Sequence, residues 1–180
     1  MKDSRPVGVQ RVAMVRVVAA AVLSSALLFG TAAQAQRDDT SPLPIPSVAL
    51  YDNVDATAAM VADVNAERAR HGRGPLSVDA ELTKLARAYA RQMLSERFVG
   101  HVTPTGTTPL DRLNAAHYLF HVAAENLTFT GAGEDQAMAN LIASPGHHRN
   151  MLDERFTRFG VAAVAASVYG TMYVQEFAGD

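Results

Sequence analysis

The chain has 180 residues, 48% of them hydrophobic and 19% charged, with 12 Gly, 8 Pro and neither Cys nor Trp. This is the composition of one globular domain and excludes a disordered, collagen-like or coiled-coil chain. The absence of cysteine excludes a disulfide framework, a zinc ribbon, a CxxC redox pair and a thiol nucleophile, and a net charge of -2 gives no electrostatic reason to expect a nucleic-acid partner.

The N-terminus carries Lys2, Arg5, Arg11 and Arg16 against one acid, Asp3. An uncharged apolar run follows, Val17 to Phe29, and then Ala33-Gln34-Ala35. A basic head, an apolar stretch of 13 and small residues at the two positions a signal peptidase accepts are the layout of a secretory signal peptide, residues 1–35, cleaved after Ala35. The competing reading, an uncleaved anchor, calls for about 20 apolar residues. Without residues 1–35 the chain keeps 145 residues and a net charge of -5. The expected location is therefore outside the cytoplasm: secreted, periplasmic or extracellular. Residues 36–53 contain Pro42, Pro44 and Pro46 at alternate positions and read as an extended linker. The expected folded domain is residues 54–180.

In that domain a first helix is expected from Val54 to Arg70. Val54, Ala58, Val61 and Val64 form its apolar stripe, Asn65, Glu67, Arg68 and Arg70 its wet side, and His71-Gly72-Arg73-Gly74-Pro75 its stop. A second begins at a cap, Ser77 or Asp79, buries Leu82, Leu85, Ala86, Tyr89, Ala90 and Met93, and ends near Arg97. Thr107 or Thr108 caps a short third helix from Pro109 to about Ala116. Tyr118 to Thr130 reads as strand or loop, Glu134 to Ala143 as a fourth helix, and His147 to Leu152 as a helical turn. The C-terminus switches to two strands around Gly170, Arg158–Ser167 and Thr171–Phe177. Helices followed by an antiparallel pair make an α+β pattern.

Common hydrolase and nucleotide signatures are missing: there is no GxSxG, HExxH, P-loop or GxGxxG, and Gly131-Ala132-Gly133 is a lone GxG. Of six histidines, His101 and His147 lie in glycine- and proline-bearing breaks, where side chains serve either function or loop hydrogen bonding. His71 reads as a charge partner of a helix C-terminus, and His117 and His121 as surface or half-buried. His148, adjacent to His147, points elsewhere on any regular turn. Glu125 lies among apolar neighbours and needs partners: an imidazolium, a metal or backbone N–H groups.

Five segments, in order and at matching spacing, resemble the CAP (SCP) superfamily of cysteine-rich secretory, antigen 5 and pathogenesis-related proteins. They are Val64-Asn65-Ala66-Glu67-Arg68 with His71-Gly72 and Pro75-Leu76; Leu82-x-x-Leu85-Ala86-Arg87 with Met93; His101-x-x-Pro104-x-Gly106 with Asp111-Arg112; Ala124-Glu125-Asn126-Leu127; and Ser144-Pro145-Gly146-His147-x-x-Asn150-Met151-Leu152. The ending Val174-Gln175-Glu176-Phe177 resembles the family's last strand. The resemblance covers about Ala58 to Phe177. It implies an α-β-α sandwich, a central antiparallel sheet flanked by helices, in a cysteine-free bacterial type whose core is complete without the family's disulfides.

The resemblance also implies a cleft of two histidines and two acids that in some members binds zinc or another divalent ion. The matching residues are His101, His147 and Glu125, an open ligand set for Zn2+. The family's second acid is missing: Leu141 stands near its tryptophan position, and Glu134 and Asp135 are the nearest substitutes. Asn126-Leu127-Thr128 matches a glycosylation sequon, but the asparagine falls in the Glu-Asn motif and reads as a structural hydrogen-bonder. Family members also bind sterols and lipids. The resemblance therefore implies a non-enzymatic binding or envelope-associated module for an apolar small molecule or cell-envelope component, with Phe98, Leu119 and Phe120 as groove or core residues. A zinc-dependent, peptidase-like hydrolase with Glu125 as general base is the competing implication, and a purely structural envelope protein is the third.

Overall fold

The structure is a computed structural model and describes residues 48–180 apart from Val168. The expected signal peptide, residues 1–35, and residues 36–47 of the expected linker lie outside the described residues. The end of the stretch read as linker is a strand, β1 (Leu50–Asp52), paired antiparallel with a later strand. Leu50, Tyr51 and Asp52 pair with Ala166, Ala165 and Val164.

The remaining elements are α1 (Val54–Arg70), β2 (Ser77–Val78), α2 (Ala80–Glu96), α3 (Pro109–Ala115), β3 (Val122–Thr130), α4 (Glu134–Ala143), α5 (Pro145–Leu152), β4 (Arg158–Ala166) and β5 (Thr171–Gly179). The sheet runs β1-β4-β5-β3, with antiparallel neighbours, and the two-residue β2 pairs parallel with β4. β3 is thus an edge strand, hydrogen-bonded to β5 from Val122↔Gly179 to Thr130↔Thr171.

Side chains alternate across β4 and β5, and each face takes a helical layer. Ala162, Val164, Met172 and Val174 pack under Ala86, Tyr89, Ala90 and Met93 of α2. Phe159, Val161, Ala163, Tyr173 and Phe177 pack on the other face against Met60 and Val64 of α1, Met138 and Leu141 of α4 and Met151 of α5. The result is an α-β-α sandwich. Gly160 faces α2 at a point of close approach: a Cβ there would lie 2.2 Å from the backbone of Leu82 and Thr83.

Capping chemistry sets the helix starts. Asn53 caps α1 by accepting from the Ala56 N–H, and Asp79, not Ser77, caps α2 through the N–H groups of Glu81 and Leu82. Thr108 and Asp111 form a capping box on α3, with Pro109 inside the first turn. Arg97 ends α2 in the left-handed region at φ 59°. Ser144 separates α4 from α5, and Pro145 opens α5 rather than merely breaking α4.

The face of α1 matches the expected stripe at Val61 and Val64 but not at its start. Val54 is 72% exposed and Ala58 also faces solvent, while Met60, Val64, Glu67 and Arg68 are buried. Two charged residues go inside because their partners are there. Arg68 donates to the carbonyls of Gly74, Met151 and Asp153 at 2.7, 2.7 and 3.1 Å, clasping α1 to the end of α5. A charge with its donors matched to fixed acceptors is tolerated where an unpaired one is not.

Candidate functional site

The Glu125-Asn126 pair sits in the middle of β3, and strand alternation sends the two side chains to opposite layers. Asn126, fully buried, donates to the His147 carbonyl at 3.0 Å and to Gln175 Oε1 at 2.9 Å, and accepts from Asn150 Nδ2 at 2.9 Å. It is the structural hydrogen-bonder expected, and it ties α5, which carries His147, to the sheet edge.

Glu125 points to the α2–α3 side, with its side chain 1% exposed. Its Oε1 meets His101 Nδ1 at 2.8 Å, and its Oε2 accepts from the Arg112 guanidinium. Arg112 rises from α3, donates also to the His101 carbonyl at 3.1 Å, and stacks its guanidinium over the Tyr89 ring, 3.3 Å from the centroid. The Tyr89 hydroxyl donates to the Gly100 carbonyl, which fixes the loop presenting His101. Burial pushes the Tyr89 hydroxyl pKa up and keeps it a neutral donor.

Glu176 on β5 is paired with Glu125 in register and is 2% exposed. Burial, and next the negative charge of Glu125, push its carboxyl well above the ordinary range. Glu176 therefore keeps its proton, and the buried charge of Glu125 is matched by that of Arg112.

His147, in the first turn of α5, faces His101 with ring centroids 6.3 Å apart. Burial, and then the nearby His101, lower its pKa and keep it a neutral imidazole. Among the described residues, the acid–histidine groups whose candidate ligand atoms all lie within 4.8 Å are Glu67–His71–His148 and Asp63–Glu134–Asp135. His101, His147 and Glu125 are neighbours but do not converge this tightly. Glu134 gathers with Asp63, and its pKa rises to about 7 through burial and the Asp63 charge. Neither Glu134 nor Asp135 replaces the missing cleft acid; Arg112 and protonated Glu176 flank Glu125 instead.

Beside this cluster lies a cavity of about 490 Å³, with Val102, Pro109, Leu110, Leu113 and Ala124 against His101, Glu125 and Glu176. The aromatic and aliphatic groove candidates lie elsewhere. Phe98 lines a separate hollow with Met93 and Phe129, Leu119 is 84% exposed, and Phe120 packs on Leu82 and Leu113.

Arg112, Glu176 and Tyr89 were not among the candidate residues of the sequence. The available signals were an acid inside the apolar run Val174–Phe177 and the Asp111-Arg112 pair next to a helix cap.

A cysteine-free α-β-α sandwich with a Glu-Asn strand and two facing histidines defines a class of domain. The profile of the cysteine-rich secretory protein family (CAP) matches residues 61–177, and the chain belongs to this family. The uncharacterised protein YkwD of Bacillus subtilis is 29% identical over 147 residues, 82% of this chain and 54% of YkwD. The uncharacterised membrane protein YlbC of the same organism is 27% identical over 54% of this chain and 28% of its own length. The chain thus spans about half or less of these relatives. Among solved structures, an extracellular SCP-domain protein from Bacillus anthracis is 28% identical, with a TM-score of 0.62, over 70% of this chain and 41% of that one. An outer surface protein from Borrelia burgdorferi shares the fold at 20% identity and a TM-score of 0.68, over 73% of this chain and 98% of that one. Among the described residues no helix is long and apolar enough to cross a membrane.

Proposed function

We propose that this CAP domain is an exported, non-enzymatic binding module that seats an apolar small molecule, or the apolar part of a cell-envelope component, in the cavity beside His101 and Glu125. The carrying observation is the cavity itself: about 490 Å³, apolar on one wall, with a charge-balanced polar cluster on the other. That volume falls in the range of small-molecule sites, and a few fixed polar groups on an apolar wall orient a bound molecule. The basic N-terminal head and apolar run support export, as does the extracellular or outer-surface nature of the two structural relatives.

Binding is favoured over hydrolysis because both oxygens of Glu125 are engaged, one by His101 and one by Arg112. A general base needs an oxygen within reach of its water. His101 and His147 would be the residues to hold a divalent ion such as Zn2+ in this cleft. Glu125 then acts from behind: its bond to Nδ1 fixes the ring and leaves Nε2 of His101 available. The neutral state of His147 suits ligation. When bound, the ion supplies a positive centre for a polar group of the ligand.

The test is thermal unfolding of the full chain against fatty acids, sterols and cell-wall fragments, with Leu110→Arg placed at the cavity wall as control. A ligand present at 100 times its Kd stabilises the native state by about 2.7 kcal/mol. A shift in the wild type that L110R abolishes is expected. No shift with any of these compounds, or an equal shift in L110R, refutes the cavity as the binding site.

A further inference from the structure

Glu67 is a buried carboxylate outside the cleft, with its side chain 7% exposed, and the functional reading above leaves it unexplained. Its Oε1 has two imidazoles on it: His148 Nε2 at 2.8 Å and His71 Nε2 at 3.1 Å. The two rings stand edge to face, 79° apart, with centroids 5.3 Å apart. One Oε1 and two Nε2 atoms, all mutually within 4.8 Å, thus converge on a single point. We propose that Glu67, His71 and His148 form a binding site for a borderline divalent transition-metal ion, with Zn2+ as its representative, separate from the His101 cleft.

The donor set selects the ion. Two imidazole nitrogens and one carboxylate oxygen suit Zn2+, Cu2+, Ni2+ or Co2+ and disfavour Ca2+ and Mg2+, which take oxygen ligands. Three protein ligands leave a fourth position for water, and the 46% exposure of the His71 side chain gives that position a path to solvent.

An ordinary buried ion pair would need only one cation, and Glu67 already has one. Arg70 binds its other oxygen, Oε2, at 2.8 Å through Nε and at 2.6 Å through a terminal nitrogen. Arg70 thereby orients the carboxylate as an outer-shell partner, leaving Oε1 directed at the histidines.

The ligands also stand on fixed backbone. Glu67 and His71 are one helical turn apart, and the His71 N–H caps α1 by donating to the carbonyls of Glu67 and Arg68. His148 lies on α5, which the Arg68 clasp at Met151 and Asp153 holds against α1. The site therefore bridges two helices whose spacing is set independently of the ion.

The test is Zn2+ calorimetry on the full chain carrying His101→Ala and His147→Ala, which removes the cleft histidines. One saturable zinc per chain is expected in that background. Adding His148→Ala or, separately, His71→Ala should weaken it at least ~100-fold, the upper end of what losing even an outer-shell partner costs. Circular dichroism confirms that each variant folds. As a second readout, Co2+ substitution should give a visible absorption band that disappears with either histidine. No saturable zinc in the H101A/H147A chain overturns the proposal, as does affinity unchanged by H71A and H148A. Zinc lost already on removing His101 and His147 assigns binding to the cleft alone.

Discussion

Replacing Arg112 by methionine should reveal how the cleft carries a buried charge. In the native protein Glu125 is almost wholly shielded from water, and its charge is met by Arg112, whose own side chain is 12% exposed. R112M keeps an unbranched apolar side chain but removes the charge, the guanidinium stacked over Tyr89, the bond to Oε2 and the bond to the His101 carbonyl. His101 and the Glu176 carboxyl then remain as the polar side-chain contacts of the buried carboxylate. Breaking a buried pair by removing one partner costs about 3–5 kcal/mol, mostly the penalty of the stranded charge. With a urea m-value of about 2 kcal/mol/M, a 4 kcal/mol loss moves the unfolding midpoint down by about 2 M. The companion variant R112M/E125Q removes the stranded charge as well and should recover at least about 2 kcal/mol of that loss as coupling energy. Urea unfolding followed by circular dichroism measures both. A loss below about 1 kcal/mol in R112M, or a double variant no more stable than the single one, refutes the view that Arg112 is the counter-charge of Glu125.

Two further outcomes follow from the same strand pairing. Asn126→Ala removes three hydrogen bonds and leaves Gln175 Oε1 and the His147 carbonyl without this donor; it should cost about 2–4 kcal/mol and speed amide hydrogen exchange in α5 relative to α2. Glu176 holds its proton in the folded state at pH values where the unfolded chain releases it, so wild-type stability should fall as pH rises from 4.5 toward the raised folded pKa. Glu176→Gln, neutral throughout, should lack that decline, matching the wild type near pH 4 and exceeding it at pH 8; parallel stability–pH curves for the two proteins would show that the residue does not titrate as described.

The parts legible in the sequence are those governed by local chemistry. The spans of α1 and α4, the Asp79 and Thr108 caps and the C-terminal strand pair all depend on residues within a few positions of one another. His101 and Glu125 meet as neighbours because the family-like segments placed them in one cleft. Arg112 and Glu176 were hidden for a different reason. Their roles depend on the register of β3 on β5, which brings residues 125 and 176 side by side, and on where α3 lands over that edge. The same limit explains the part of α1 that periodicity misses: Val61 and Val64 do meet the core, but Val54 is exposed, and Glu67 and Arg68 are buried by partners on α5 and in the loop after α1 that local pattern does not reveal. β1 escaped notice because three residues carry too little periodicity to separate a strand from the linker before it.

The alternation of Glu125 and Asn126 bears on how the chain finds its fold. β3 and β5 are not joined by a hairpin; two helices and another strand intervene, so no turn sets their alignment. A slip of one residue sends each side chain to the opposite face: in one direction the Glu125 carboxylate lands beside Gln175, in the other the Asn126 amide faces the Arg112 cation. In either direction Glu125 leaves the side of the sheet that holds Arg112, and that cation loses its counter-charge. The dipeptide thus works as a two-sided key against misaligned intermediates, and polar-to-apolar changes at either position should raise aggregation during refolding in addition to weakening the finished molecule.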